Sequence, residues 1–262
     1  MNQTSRYPWR LFWLLLCGGL FGVAAVLPYA FAIFSKALAK VPLRLPLFLG
    51  LQFVQSIVLL SLAVGVGLLI ARQIGLGAPR LEAWLYNEKT APRKFSILSA
   101  VLAGAVMGAS IIVVSYFIFA PLIPQLAPNP DAMLPLWKRF LACFYGGLDE
   151  EILIRLFLLS LVLWSFGNIW RNSDGKPSSV AFWTANTLIA VLFGVGHLPA
   201  AKQMMTLTPI AVTYVISLNG IAALLFGYLY WKRGLESAIV AHFSADIVLH
   251  VIGPVLLKGT GV

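Results

Sequence analysis

Residues 46–71 read PLFLGLQFVQSIVLLSLAVGVGLLIA and contain no charged side chain. A helix needs about 20 apolar residues to cross the hydrocarbon core of a bilayer, and this run is longer than that. The apolar residues are continuous instead of alternating with polar ones, which favours a helix over a strand of a membrane barrel. The run therefore predicts a transmembrane helix.

Comparable apolar runs occur along the rest of the chain. They cover residues 11–35, 95–122, 140–168, 180–198, 209–230 and 235–256. We therefore expect an all-α fold, a polytopic transmembrane helix bundle of about seven spans, with eight as the alternative. The first run resembles a signal peptide, but its apolar stretch is longer than usual, so we interpret it as a retained anchor.

The composition agrees with a membrane protein and excludes several other classes. The 262 residues are 60% hydrophobic and 11% charged, whereas soluble domains carry about 25% charged residues. Two cysteines are too few for a disulfide-rich scaffold. The net charge of +10 is spread between the apolar runs. We therefore expect membrane lipids as the anionic partner, and no nucleic acid.

Cations in the loops predict the orientation. With the N-terminus in the cytoplasm, eleven loop Lys and Arg residues would lie inside and seven outside, so a cytoplasmic N-terminus is favoured. Between the second and third runs, Leu81, Trp84 and Leu85 lie among charged residues. This pattern is typical of a short interfacial helix or of a solvated loop.

We expect a single membrane domain over residues 1–262. The spans within 11–122 carry few polar side chains and would be accessory. The region of about 140–255 would form the core that carries the motifs. The oligomeric state does not follow from the sequence.

Several ionisable residues fall inside the apolar runs, where a charged group costs a few kcal/mol or more. Four of the nine acidic residues are among them, together with one arginine and two histidines. They are Asp149, Glu150, Glu151, Asp246, Arg155, His197 and His242. Because they come from three different runs, we expect them to meet in one pocket.

The spacing in the fourth run gives its two glutamates different roles. Glu151 and Arg155 are four residues apart, so they can form an ion pair on one face of a helix. Glu150 points about 100° away from Glu151 in an α-helix and has no such partner. Glu150 is therefore the candidate general base, and Glu151 and Arg155 are supporting residues.

The histidines occur in similar pairs. Phe193 and His197 share a helix face, as do His242 and Asp246. Asp246 could hold the His242 ring in one tautomer. The sequence has no HExxH motif, but a carboxylate and two histidines on three helices could still bind zinc with one open position. No cofactor is expected, and zinc remains an alternative.

The motifs Glu150-Glu151-x-x-x-Arg155, Phe193-x-x-x-His197 and His242-x-x-x-Asp246 together resemble those of the CAAX prenyl endopeptidase and bacteriocin-processing family. This family, also called the abortive-infection family, comprises intramembrane glutamate proteases. The resemblance covers about residues 140–255. It implies a multi-pass protein of a bacterial cell membrane that hydrolyses peptide bonds.

The resemblance also implies catalytic roles. Glu150 and His197 would activate a water molecule, while His242 and Asp246 would stabilise the oxyanion. The family often has asparagine where this chain has Asp246. An ionised carboxylate cannot donate a hydrogen bond, so Asp246 would either be protonated or merely orient His242 and leave the oxyanion with one donor fewer.

Three functions remain in competition. The first is an intramembrane endopeptidase acting on a hydrophobic or lipidated peptide or protein, with a zinc-dependent version of the same hydrolysis as its variant. The second is a non-catalytic membrane binding or immunity protein that retained the fold. The third is a proton-coupled transporter, although the repeated halves usual in transporters are not evident in the sequence.

Overall fold

The computed structural model describes residues 7–87, 96–126 and 134–258, and within these residues the chain is helical, without β-strands. The predicted all-α fold is confirmed. The N-terminal half contains α1 (Trp9–Ile33), α2 (Ser35–Leu38), α3 (Leu45–Gln73), α4 (Pro79–Tyr86) and α5 (Ile97–Val114). The C-terminal half contains α6 (Leu136–Phe144), α7 (Ser160–Gly167), α8 (Ser179–Gly196), α9 (Leu198–Met204), α10 (Pro209–Arg233), α11 (Leu235–Asp246) and α12 (Gly253–Lys258).

Three stretches of the described chain have the wider π-helical backbone, in which an N–H group bonds to the carbonyl five residues earlier. The longest, Tyr145–Leu159, joins α6 to α7, so the chain is helical without a break from Leu136 to Gly167. We call it the central π segment. The second, Ile247–Ile252, follows α11, and the third, Ser115–Phe119, extends α5.

Six of the described helices are long and apolar enough to cross a membrane, which fits an integral membrane protein. They correspond to six of the seven predicted runs. The remaining run, 140–168, coincides with the continuous helix Leu136–Gly167, whose centre carries the charged motif. A total of seven spans therefore stays a prediction.

Local sequence explains where several helices begin and how two of them join. The side chains of Ser96, Ser178 and Thr208 each accept a hydrogen bond from a backbone N–H in the first turn of α5, α8 and α10, as expected of helix-capping residues. Gly234 links α10 directly to α11 with φ of 99°, a conformation that residues with a side chain rarely adopt.

The short helix α4 lies within the segment for which the sequence left a helix or a loop open. Its first turn is held by Glu236, whose Oε1 accepts hydrogen bonds from the backbone N–H groups of Arg80 (2.7 Å) and Leu81 (2.8 Å). Trp84 is exposed. The structure therefore has a helix here, attached to the first turn of α11.

The loop-charge count needs one correction. Arg139 was counted among the outside cations, but it is buried, and its Nη1 donates a hydrogen bond of 2.9 Å to the carbonyl of His250. It is therefore a residue of the bundle interior, and that side has one loop cation fewer than the sequence suggested. A cytoplasmic N-terminus stays a prediction.

Close approach between helices places α11 and the central π segment inside the bundle. Gly67 of α3 lies against Leu156, and a Cβ at this glycine would come within 2.9 Å of the Leu156 carbonyl oxygen. A Cβ on Gly104 of α5 would overlap the carbonyl oxygen of Ala241, the residue before His242. Glycine is therefore what allows α5 to pack against the part of α11 that carries the motif.

We predict that Gly104→Leu destabilises the protein, because the new side chain would force α5 away from α11. Overpacking of this kind typically costs about 1–3 kcal/mol. Thermal unfolding of the detergent-solubilised protein measures the effect. Gly50→Leu is the matched control, since no atom lies within 4 Å of a Cβ built at Gly50. Equal unfolding temperatures for the two variants would contradict this account of the packing.

Candidate active site

The central π segment brings the first motif against α11. A Cβ on Gly146 would overlap Asp246 Oδ2 and would lie 3.3 Å from His242 Nε2. A Cβ on Gly147 would lie 2.9 Å from the Cβ of Phe243. The two glycines thus permit contact between the backbone of the π segment and the side chains of the third motif. Such π-helical turns often occur at functional sites.

Glu150 lies between the two predicted catalytic histidines. Its Oε1 is 3.9 Å from His197 Nε2, and its Oε2 is 3.7 Å from His242 Nε2. Asp246 Oδ1 is also 3.7 Å from His242 Nε2. The four residues predicted as catalytic are therefore neighbours in space, although they come from three separate parts of the sequence.

Glu151 is the centre of a buried polar network. Its Oε1 lies 3.0 Å from Arg155 Nη1, as the four-residue spacing predicted, and 2.7 Å from His242 Nδ1. Because a carboxylate only accepts hydrogen bonds, the Nδ1 of His242 is the donor. Sequence reasoning considered Asp246 for orienting this ring, but Asp246 faces the opposite nitrogen. Glu151 therefore holds the ring through Nδ1.

Aromatic rings enclose the buried end of this network. The Arg155 guanidinium lies 5.0 Å from the ring centre of Phe193 and 5.5 Å from that of Phe226. Its Nη2 also donates to the carbonyl oxygen of Ala223 at 3.3 Å. The Phe226 ring stacks on His242, with ring centres 4.6 Å apart. Phe193, which the sequence predicted as a supporting residue, contacts Arg155 here. Phe226 contacts both Arg155 and His242, but the sequence analysis did not predict it.

His197 is held from the other side. It follows the last residue of α8, and its Nδ1 is 2.8 Å from the carbonyl oxygen of Phe193. A carbonyl can only accept, so Nδ1 carries a proton, and Nε2 is the nitrogen that faces Glu150. The sequence spacing placed Phe193 and His197 on one face, and this hydrogen bond joins them.

Exposure decreases from the histidine at the end of α8 toward the interior. The side chain of His197 is 32% exposed and that of Glu150 is 21% exposed, whereas that of His242 is 8% exposed and that of Glu151 is fully buried. Water can therefore reach Glu150 and His197 more easily than the Glu151 network. Glu150 and Glu151 are adjacent in sequence but differ in solvent exposure.

Asp149 does not join the cluster. It is 1% exposed, and its carboxyl group lies against Gly19 and Gly22 of α1. Neither of its oxygens has a hydrogen-bond partner among the described residues. The expectation that all the intramembrane acids meet in one pocket is therefore wrong for Asp149.

The candidate site has no metal cluster among its described residues. Among the described residues, no group of three or more His, Cys, Asp or Glu side chains is arranged to hold a metal ion. A cavity of about 630 Å³ opens beside the end of α9. Its lining residues are Gln125, Lys202, Gln203, Met204, Met205, Thr206 and Leu207, and none of them is a predicted site residue.

Comparison with known proteins identifies the segment that carries the motifs. Residues 132–248 match the family model of type II CAAX prenyl endopeptidase Rce1-like proteins, which confirms the resemblance predicted from the three motifs. No curated protein and no solved structure matches the chain. The matched segment contains every predicted site residue, and it is this segment that is similar to the Rce1-like type II CAAX prenyl endopeptidases.

Proposed function

We propose that this protein is an intramembrane endopeptidase in which Glu150 and His197 activate a water molecule to hydrolyse a peptide bond. The observation that carries the proposal is the position of Glu150, a partly accessible carboxylate with one histidine nitrogen at 3.9 Å and another at 3.7 Å. The similarity of residues 132–248 to a family of prenyl endopeptidases supports the same class of reaction.

The first step is the removal of a proton from water. Glu150 Oε1 and His197 Nε2 are close enough to contact one water molecule, and both can accept a hydrogen bond from it. Glu150 takes the proton as the water oxygen forms a bond to the substrate carbonyl carbon. General-base catalysis of this kind typically contributes about 10²–10⁴-fold to the rate.

The second step is the collapse of the tetrahedral intermediate. Its oxyanion needs hydrogen-bond donors, and His242 is the nearest protonatable group on the other side of Glu150. When both ring nitrogens of His242 are protonated, Nδ1 donates to Glu151 and Nε2 can donate to the oxyanion. Glu150 then gives its proton to the leaving nitrogen as the carbon–nitrogen bond breaks.

The proposed substrates are hydrophobic or lipidated peptides associated with the membrane. The reacting groups lie on helices whose outer faces are apolar, so a segment that reaches them must be soluble in the bilayer. A purely polar peptide would have to leave water at a cost that no described feature offsets. Membrane lipids would surround the outer surface of the bundle.

We predict that Glu150→Gln lowers kcat by about 10²–10⁴-fold, because an amide cannot act as the base. Cleavage of prenylated and unprenylated fluorogenic peptides by the protein in liposomes measures the effect. Glu82→Gln is the matched control, because Glu82 of α4 pairs with Arg72 of α3 and lies outside the site. Unchanged cleavage by Glu150→Gln would remove Glu150 as the base. If the wild type binds the peptides but cleaves none of them, the peptidase function is wrong and a non-catalytic binding function is supported.

The neighbouring glutamate should respond differently. We predict that Glu151→Gln destabilises the fold by about 3–5 kcal/mol, the usual cost of breaking a buried ion pair, because Arg155 would lose its counter-charge. Glu150→Gln should keep the unfolding temperature of the wild type. Unfolding curves in detergent, recorded for both variants, measure this contrast. Similar curves for the two would show that Glu151 is not the structural member of the pair.

A metal-free mechanism makes a further prediction. We expect the purified protein to contain less than stoichiometric zinc and to keep its peptidase activity after treatment with EDTA or 1,10-phenanthroline. Elemental analysis and the peptide assay provide both measurements. Stoichiometric zinc together with chelator-sensitive cleavage would contradict water activation by Glu150 and His197 and would support the zinc-dependent mechanism.

A further inference from the structure

Tyr145, the first residue of the central π segment, has a hydroxyl that the catalytic scheme has not used. Its side chain is half-buried, and among the described residues it forms no hydrogen bond. A tyrosine hydroxyl in an apolar bundle usually has a partner. An unpartnered hydroxyl that is still accessible is therefore available to a bound molecule.

The π-helical register places Tyr145 on the side of the helix that carries the general base. With hydrogen bonds that span five residues, Tyr145 lies one turn before Glu150 and on the same side of the helix. An α-helix would have rotated Tyr145 further from Glu150, so this proximity depends on the π backbone.

The next residue shows how close this turn is to the third motif. A Cβ on Gly146 would lie 3.3 Å from His242 Nε2 and would overlap Asp246 Oδ2. The backbone that carries Tyr145 therefore borders the space between Glu150, His242 and Asp246. Tyr145 is the residue immediately before this glycine.

We infer that the Tyr145 hydroxyl donates a hydrogen bond to the oxyanion of the tetrahedral intermediate, an inference that rests on the proposed peptidase function. An oxyanion is best stabilised by more than one donor. His242 can provide one, but an ionised Asp246 cannot provide another because it has no proton to donate. Tyr145 keeps its proton throughout, so no additional reactant is needed.

Tyr145→Phe tests this role because it removes only the hydroxyl. We expect kcat to fall by about 10²–10³-fold, as for the loss of an oxyanion donor, with KM changed less than threefold. The unfolding temperature should stay unchanged, since the hydroxyl has no protein partner to lose. Tyr228→Phe is the matched control, because Tyr228 is exposed on the outer face of α10.

Binding of a phosphinate peptide, whose tetrahedral centre mimics the intermediate, gives a second measurement. The Tyr145→Phe variant should bind it more weakly by about the same factor by which kcat falls. A merely structural role would weaken the binding of substrate and inhibitor alike. Unchanged affinity for the phosphinate would overturn the inference.

The same assay separates failure of this inference from failure of the proposed function. Cleavage by the wild type and its loss in Glu150→Gln support the peptidase function by themselves. If Tyr145→Phe then cleaves within twofold of the wild type, only the role of Tyr145 is overturned. If Glu150→Gln retains full activity, the base is misassigned, whatever the result at position 145.

Discussion

A buried carboxylate must be compensated, and the arrangement of the site follows from how Glu151 meets that requirement. A charge in the low-dielectric interior of a membrane protein is tolerated when it is paired and hydrogen-bonded. Glu151 satisfies this with Arg155 on its own helix and with His242 on α11. The guanidinium is in turn bound by the Ala223 carbonyl of α10. One carboxylate thus joins three helices and fixes the orientation of the imidazole.

Because Glu151 forms these buried contacts, Glu150 is not needed for them. Glu151 already binds Arg155 and His242 Nδ1, whereas the adjacent carboxylate of Glu150 has no ionic contact shorter than 3.7 Å with any described residue and lies 3.7 Å and 3.9 Å from the two histidines. A general base needs such a position, close to protonatable groups but not saturated by them. Neighbouring residues of the same type can therefore serve different purposes when the helix directs one inward and the other to the accessible side.

The sequence predicts the local features of the site better than the distant ones. The apolar runs predict the helices because membrane solvation leaves few other backbone conformations. The contact between Glu151 and Arg155 follows from a spacing of four residues. The contact between Glu151 and His242 joins residues 91 positions apart and depends on the packing of α11, so spacing could not reveal it. Phe226 lies in an ordinary apolar run, and nothing in the sequence distinguishes it from its neighbours.

The backbone itself accounts for another difference. The motif was interpreted with α-helical spacing, whereas Tyr145–Leu159 has a π-helical backbone; the four-residue contact between Glu151 and Arg155 nevertheless forms in it. Asp149 was expected in the pocket because it is an acidic residue within an apolar run, but it lies against α1. A glycine pair, Gly146-Gly147, was visible in the sequence at the start of the motif and is the feature that could have signalled close approach by another helix.

The contact of Asp149 with α1 has an implication for comparing this chain with Rce1-like proteins. A Cβ on Gly22 would overlap the carboxyl group of Asp149, the residue before Glu150. Gly22 lies outside the segment that matches the family model. A chimera that joins residues 132–248 to the N-terminal helices of another protein would therefore have to preserve a glycine at this position. The side-chain volume at position 22 is therefore one condition for compatibility between the two halves, in addition to the glycine contacts of α3 and α5, and an alignment restricted to the shared region would not reveal it.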